Sequence, residues 1–256
     1  MQPVIVMPMN DPSGLLFQHL RVIAPTLKNT FAHAFVSVSA STQKAQPGEM
    51  VWLRTDDFFQ VIFHEKDLPV GDDFLALYTH AAHTCYPEQV AHLCFLDRVA
   101  FALQSDYREQ FIADIQAASR EQTPLIFHRS TTAWETHPSN YRDIEQFLTY
   151  VGERLFNRTL DFAWCHFAVG VHHLREILPH VHNHDISMCA EMVILLQSKI
   201  QTKQVDWLAW EDPFIFSRDA QQLKSEREHS PQETRKRLSY AVPMLQLLYS
   251  MTNGRA

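Results

Sequence analysis

The chain has 256 residues and a mass of 29.7 kDa, with 46% hydrophobic and 20% charged residues. This is a globular composition that excludes wholesale disorder and a fibrous protein. Its 6 glycines are scattered, the closest two, Gly152 and Gly170, standing 18 positions apart. Phosphate cradles made of backbone N–H groups need clustered glycines, so a P-loop ATPase, a protein kinase and a Rossmann-type NAD or FAD site are excluded. The net charge of −7 is a poor match for nucleic-acid phosphates, and no nucleic-acid partner is expected.

Val4 to Met7 is a short apolar run of the kind that forms buried parallel strands. A turn follows over Pro8 to Gly14. Leu16, Leu20, Ile23 and Leu27 then mark one helix face. Ala34 to Val38 is a second strand, which completes a βαβ unit. Further strands are predicted at 58–63, 90–96, 124–127, 162–167 and 205–210. Helices are predicted at 72–83, 98–103, 107–118, 139–155, 172–178 and 187–199, with a terminal helix over 231–250. The alternation predicts a single three-layer α/β domain over 1–256, with a mostly parallel mixed sheet flanked by helices. The polar stretch 217–230 is expected to be a mobile loop. The interleaved charges around Arg227, Arg235, Lys236 and Arg237 suggest a solvated helix face.

No run is long enough to span a bilayer. The N-terminus has no basic region typical of a signal peptide, and the four cysteines form no C-x-x-C pair. A cytoplasmic protein with reduced thiols is expected.

In open α/β sheets, ligands sit beyond the carboxyl ends of the strands. Those ends carry Asn10 and Asp11, then Asp97 and Arg98, then His128 and Arg129, then Glu211 and Asp212. Asp97 emerges directly from the apolar run Leu93-Cys94-Phe95-Leu96, where a carboxylate needs a partner, a metal or a helix to cap. Glu211 and Asp212 offer a metal ligand and a general base, or a turn before Pro213. Arg129, Trp134, His137 and Arg142 crowd one stretch that enters a helix at Ser139. Arginine forks suit phosphate or carboxylate, and tryptophan stacks on a base or sugar ring. His180, His182 and His184 alternate, either as metal ligands or as an ordinary polar loop.

The order strand, helix, strand, then a strand ending in Phe95-Leu96-Asp97, resembles the type A (GT-A) glycosyltransferases, the nucleotide-diphospho-sugar transferases. Where that family carries Asp-x-Asp, this chain keeps only Asp97. The resemblance implies transfer of a sugar from a nucleotide sugar to an acceptor. It implies Asn10 and Asp11 on the nucleotide, Asp97 on a Mg or Mn ion or on sugar hydroxyls, and Arg98 and Arg129 against the diphosphate; Trp134, read from its own stretch, is a further candidate ligand contact. Glu191, Glu211 or Asp212 would be the base, and 217–230 a lid. Two alternatives stand beside it: a non-catalytic binding or scaffold protein on the same fold, and a histidine-rich metal-dependent hydrolase.

Overall fold

A computed structural model describes residues 1–252. In chain order the first half contains β1 (Val4–Met9), α1 (Leu15–Thr30), β2 (Ala34–Val38), α2 (Ala40–Ala45), α3 (Pro47–Thr55), β3 (Phe59–Phe63), α4 (Val70–Thr84), β4 (Val90–Cys94), α5 (Leu96–Gln104) and α6 (Arg108–Glu121). The second half contains β5 (Leu125–Arg129), α7 (Thr131–Thr136), α8 (Ser139–Phe156), β6 (His166–Gly170), α9 (Val171–Ile177), a 3-10 turn (Leu178–His180), α10 (Met188–Leu196), β7 (Gln201–Val205), α11 (Asp212–Phe216), α12 (Ala220–Glu228) and α13 (Pro231–Thr252).

Among the described residues, seven strands form one mixed sheet in the order β3-β2-β1-β4-β6-β5-β7. Only β6 is antiparallel to its neighbours β4 and β5; the other pairings are parallel. The chain is therefore an α/β protein with helices on both faces.

Alternate residues of the central strands enter two separate cores, as the period-2 geometry of a strand requires. Val4, Val6, Ala91, Leu93 and Phe167 meet side chains of α4, α8, α9, α10 and α13. Ile5, Met7, Val36, Cys94 and Phe127 meet α1, α3, α5 and α6. Both faces of β1, β2 and β4 are thus covered, which is why these strands are continuous apolar runs.

The strand expected at 90–96 ends at Cys94, with Leu96 opening α5, and α2, α3, α7 and α11 were not expected; three further departures are larger. The run at 205–210 is not a strand. The edge strand is β7, whose sequence Gln-Thr-Lys-Gln is exposed, while Trp207 and Leu208 are buried in the turn after it. At 162–167 only the last two residues are in β6, and Leu160, Phe162 and Trp164 form a buried approach to it. The stretch 217–230, expected as a mobile loop, contains helix α12. Asp219 caps it by accepting from Gln222 N at 2.7 Å, and Leu223 anchors it in the interior.

Candidate functional site

Six strands deliver their carboxyl ends to one edge of the sheet, and two adjoining clefts open there. The smaller, about 360 Å³, is lined by Asn10 after β1, Ser39 after β2 and His64 after β3, with Asp67 and Asp73. The larger, about 460 Å³, is lined by Asp97 and Arg98 in the first turn of α5, Arg129 at the end of β5, Trp164 and Cys165 before β6, and Glu211 and Asp212. One face each of α8 and α13 closes it. Val70, Phe74, Phe95 and Asp97 line both clefts, so Asp97 stands at their junction.

Asn10 faces the smaller cleft, its Oδ1 accepting from Ser39 Oγ at 2.9 Å and from Ser41 Oγ at 3.4 Å. Asp11 lines neither cleft. It is buried, and its carboxylate accepts from Ser13 Oγ at 2.7 Å and Phe17 N at 3.1 Å, which ties down the start of α1. Asp97 is not the N-cap of α5, a position held by Phe95; its Oδ1 accepts from Arg98 N at 2.9 Å.

Arg98 and Glu211 form a buried ion pair with each other. Arg129 is buried too. It pairs with Glu145 Oε2 at 3.1 Å and donates to His137 Nε2 at 3.0 Å and Cys165 Sγ at 3.2 Å. Burial opposes its charge, but Cys165, Glu145 and Asp161 outweigh that and raise its pKa. The same buried guanidinium adds to burial in holding His137 well below the usual imidazole range. Both arginines therefore already have anionic partners.

Asp212 opens α11, half-buried, with Arg227 Nε 3.5 Å from its Oδ2. Burial raises its pKa; Arg227 and Arg98 oppose the shift, and nearby Asp97 reinforces it. A carboxyl group with a raised pKa on a cleft wall is suited to accept a proton.

Trp134 is outside both main clefts. It lies 4.5 Å from the Arg129 guanidinium and lines a recess of about 140 Å³ with His128, Tyr150 and Asp161. Glu191 lies outside the clefts as well. Its Oε2 accepts from His182 N, Asn183 N and Asn183 Nδ2 at 2.7 to 3.0 Å, clamping the loop before α10.

Sequence reasoning missed four groups. Trp164 and Cys165 precede an antiparallel strand, so they reach the site edge from its amino end, where the strand-end rule does not look. Tyr141, Ile144, Glu145 and Leu148 recur at 3 and 4 residues on α8. On α13, Lys236, Arg237, Tyr240, Ala241 and Met244 do the same. Their helical spacing was legible, but Lys236 and Arg237 do not lie on a purely solvated face. The fourth is Ser39, His64, Asp67 and Asp73 around Asn10, with Asp73 bound to His64 at 2.8 Å.

A divalent metal at Asp97 would lack a protein-made cage. Phe95 stands where a second acid would be needed, and Asp212 already faces Arg227. Among the described residues, three potential metal donors converge only at His92, Cys94 and His166. That trio is fully buried, with His92 Nε2 2.8 Å from His166 Nδ1, and does not line either cleft. No helix among the described residues is long and apolar enough to cross a membrane. No protein-family model matches the chain, and no curated protein matches it either.

Proposed function

We propose that the protein is a GT-A-like glycosyltransferase that binds a nucleotide sugar and transfers the sugar to an acceptor. The observation that carries this reading is the pair of clefts joined at Asp97, because a transferase must hold a donor and an acceptor on either side of one reacting centre. The mixed sheet flanked by helices supports it at the level of architecture.

The smaller cleft takes the nucleoside. Asn10 and Ser39 offer amide and hydroxyl groups, and Asp67 and Asp73 can accept from ribose hydroxyls. Asp97 holds sugar hydroxyls at the junction. Asp212 accepts the proton from the acceptor hydroxyl as its oxygen bonds to the anomeric carbon. The bond from that carbon to the donor phosphate breaks, and nucleoside diphosphate leaves with the electron pair. Arg98 and Arg129 act here through Glu211 and Glu145, fixing the walls of the cleft. No step is assigned to Mg or Mn, since the donor set at Asp97 does not make a site for either.

The test is a panel of nucleotide sugars, with and without Mn²⁺, scored for binding, hydrolysis and transfer. Asp212→Asn is expected to lower turnover by about 10²-fold or more, the scale of a general base, with donor affinity kept. Because the base must be ionised and its pKa is raised, activity falls on the acid side above the ordinary aspartate range. Absence of binding, hydrolysis and transfer for every donor refutes the proposal. The second reading is a non-catalytic binding protein on the same fold, favoured by Phe95 in place of an acid. Donor binding with no turnover, unchanged by Asp212→Asn, selects it.

A further inference from the structure

The two clefts differ in charge. Around Asn10 the lining holds Asp67, Asp73 and Asp97 and, among the described residues, no lysine or arginine. The larger cleft holds Arg98, Arg129, Arg227, Lys236 and Arg237 against Asp97, Glu145, Glu211 and Asp212.

Pairing distinguishes these cations from one another. Arg98 has Glu211, and Arg227 has both Asp212 and Glu233. Glu145 is shared, its Oε2 with Arg129 at 3.1 Å and its Oε1 with Arg237 at 3.0 Å. One carboxylate therefore serves two guanidiniums. Arg237 is held rigidly, its guanidinium 3.8 Å from the Tyr141 ring centre, and its buried Nε has no hydrogen-bond partner. Lys236, next to it on the cleft, forms no ion pair among the described residues. Beyond these cations the lining turns apolar, with Leu148, Tyr240 and Met244.

We infer that Lys236 and Arg237 form an oxyanion subsite, and that the acceptor is a small molecule carrying a phosphate or carboxylate on an apolar body. The anionic group meets Lys236, which has no ion-pair partner within 4 Å among the described residues, and Arg237, which shares its carboxylate with Arg129, where a planar guanidinium and a flexible-stemmed ammonium complement each other. The apolar body lies against Leu148, Tyr240 and Met244. This identification of the acceptor rests on the transferase reading, whereas the anion subsite itself does not.

The experiment is calorimetry with phenyl phosphate, phenylacetate, inorganic phosphate and a nucleoside diphosphate. The proteins are the wild type, Lys236→Ala, Arg237→Gln and the control Lys224→Ala, which lies outside the cleft. Phenyl phosphate or phenylacetate is expected to bind at least tenfold tighter than inorganic phosphate. Lys236→Ala should weaken that binding fivefold or more, and Lys224→Ala should leave it unchanged. Nucleoside diphosphate affinity should change less than twofold in Lys236→Ala. Two results overturn the inference. One is no binding of either aromatic anion to the wild type, or binding that Lys236→Ala leaves intact. The other is an equal loss for nucleoside diphosphate, which would make this the seat of the leaving group. If no nucleoside diphosphate or nucleotide sugar binds, the transferase reading fails while Lys236-dependent binding of the aromatic anion still stands. Arg237→Gln separates charge from fold, since a melting temperature kept within the wild-type range assigns lost binding to the missing guanidinium.

Discussion

Replacing Arg129 by methionine separates a structural post from a ligand contact. The side chain is 1% exposed and joins β5 to α8 through Glu145, to α7 through His137 and to the segment before β6 through Cys165. Methionine keeps most of the volume and removes the charge. Removing one partner of a buried ion pair costs about 3–5 kcal/mol because the other is left uncompensated. Glu145 retains Arg237, so the lower end, about 3 kcal/mol, is expected. With a urea m-value of about 3 kcal/mol/M, the unfolding midpoint drops by roughly 1 M. Equilibrium urea unfolding followed by tryptophan fluorescence reads this directly, since Trp134 sits on the guanidinium. The double variant Arg129→Met/Glu145→Leu should recover none of the loss, because Arg237, which shares Glu145, is then left without its carboxylate. A midpoint unchanged in Arg129→Met, with ligand binding abolished, refutes the structural role and restores the guanidinium as a ligand group.

Burial holds His92 neutral with its pKa lowered to about 3, so the unfolded chain takes up a proton below pH ~6.5 that the folded one refuses. Stability then falls as pH drops from about 6.5 towards 3, by up to ~1.4 kcal/mol per pH unit. Thermal melts across that range should show a shallower decline in His92→Phe, and an identical slope contradicts the assignment. At Gly152 on α8 a Cβ would stand 1.9 Å from Phe162 Cε2, so Gly152→Ala should cost about 1–3 kcal/mol by overpacking. Gly48, with open space around it, is the control, and Gly48→Ala should melt at or slightly above the wild-type temperature.

The parts of the fold legible in the sequence were those dictated by burial on both faces. Val4 to Met7 and Ala34 to Val38 are apolar without interruption because helices cover both sides of them. An edge strand escapes that logic. β7 has solvent along one side and is written Gln-Thr-Lys-Gln, with no apolar run to mark it. The apolar residues just after it, Trp207 and Leu208, fill a buried turn and invite a false strand. The site divided in the same way. Asn10, Asp97 and Asp212 were legible because polar groups there interrupt or follow apolar runs, and the structure lines the clefts with all three. Arg98 and Arg129 were legible as strand-end cations, but their partners Glu211 and Glu145 are 113 and 16 residues away in sequence, a separation no local pattern reveals. Asp11 and Glu191 have the same chemistry as the cleft acids yet are engaged by backbone N–H groups.

The reversal of β6 explains the most unusual acid near the site. An antiparallel strand brings its amino end to the edge where its neighbours end, so the chain must enter through residues 160–165 beneath the cleft. Asp161 is carried inward with them. Its Oδ1 accepts from Ala163 N at 3.0 Å, and burial, partly offset by Arg129, raises its pKa to about 6. The folded state therefore binds this proton at a pH where the unfolded state, with a pKa near 3.9, does not. Keeping Asp161 ionised at pH 7 costs about 3 kcal/mol, a burden that disappears as pH falls from 6 towards 4. Asparagine retains the acceptor for Ala163 N and has no charge to desolvate. Asp161→Asn is thus expected to be more stable than the wild type at pH 7, by up to about 3 kcal/mol, and equal to it near pH 4. Paired urea titrations at the two pH values measure that difference free of the histidine contribution, which both proteins share. A destabilised Asp161→Asn at pH 7 would mean that the carboxylate is held ionised by Arg129. Arg129 would then have a carboxylate of its own in Asp161, leaving Glu145 to Arg237, and the shortfall of carboxylate beside α13 would be smaller than inferred.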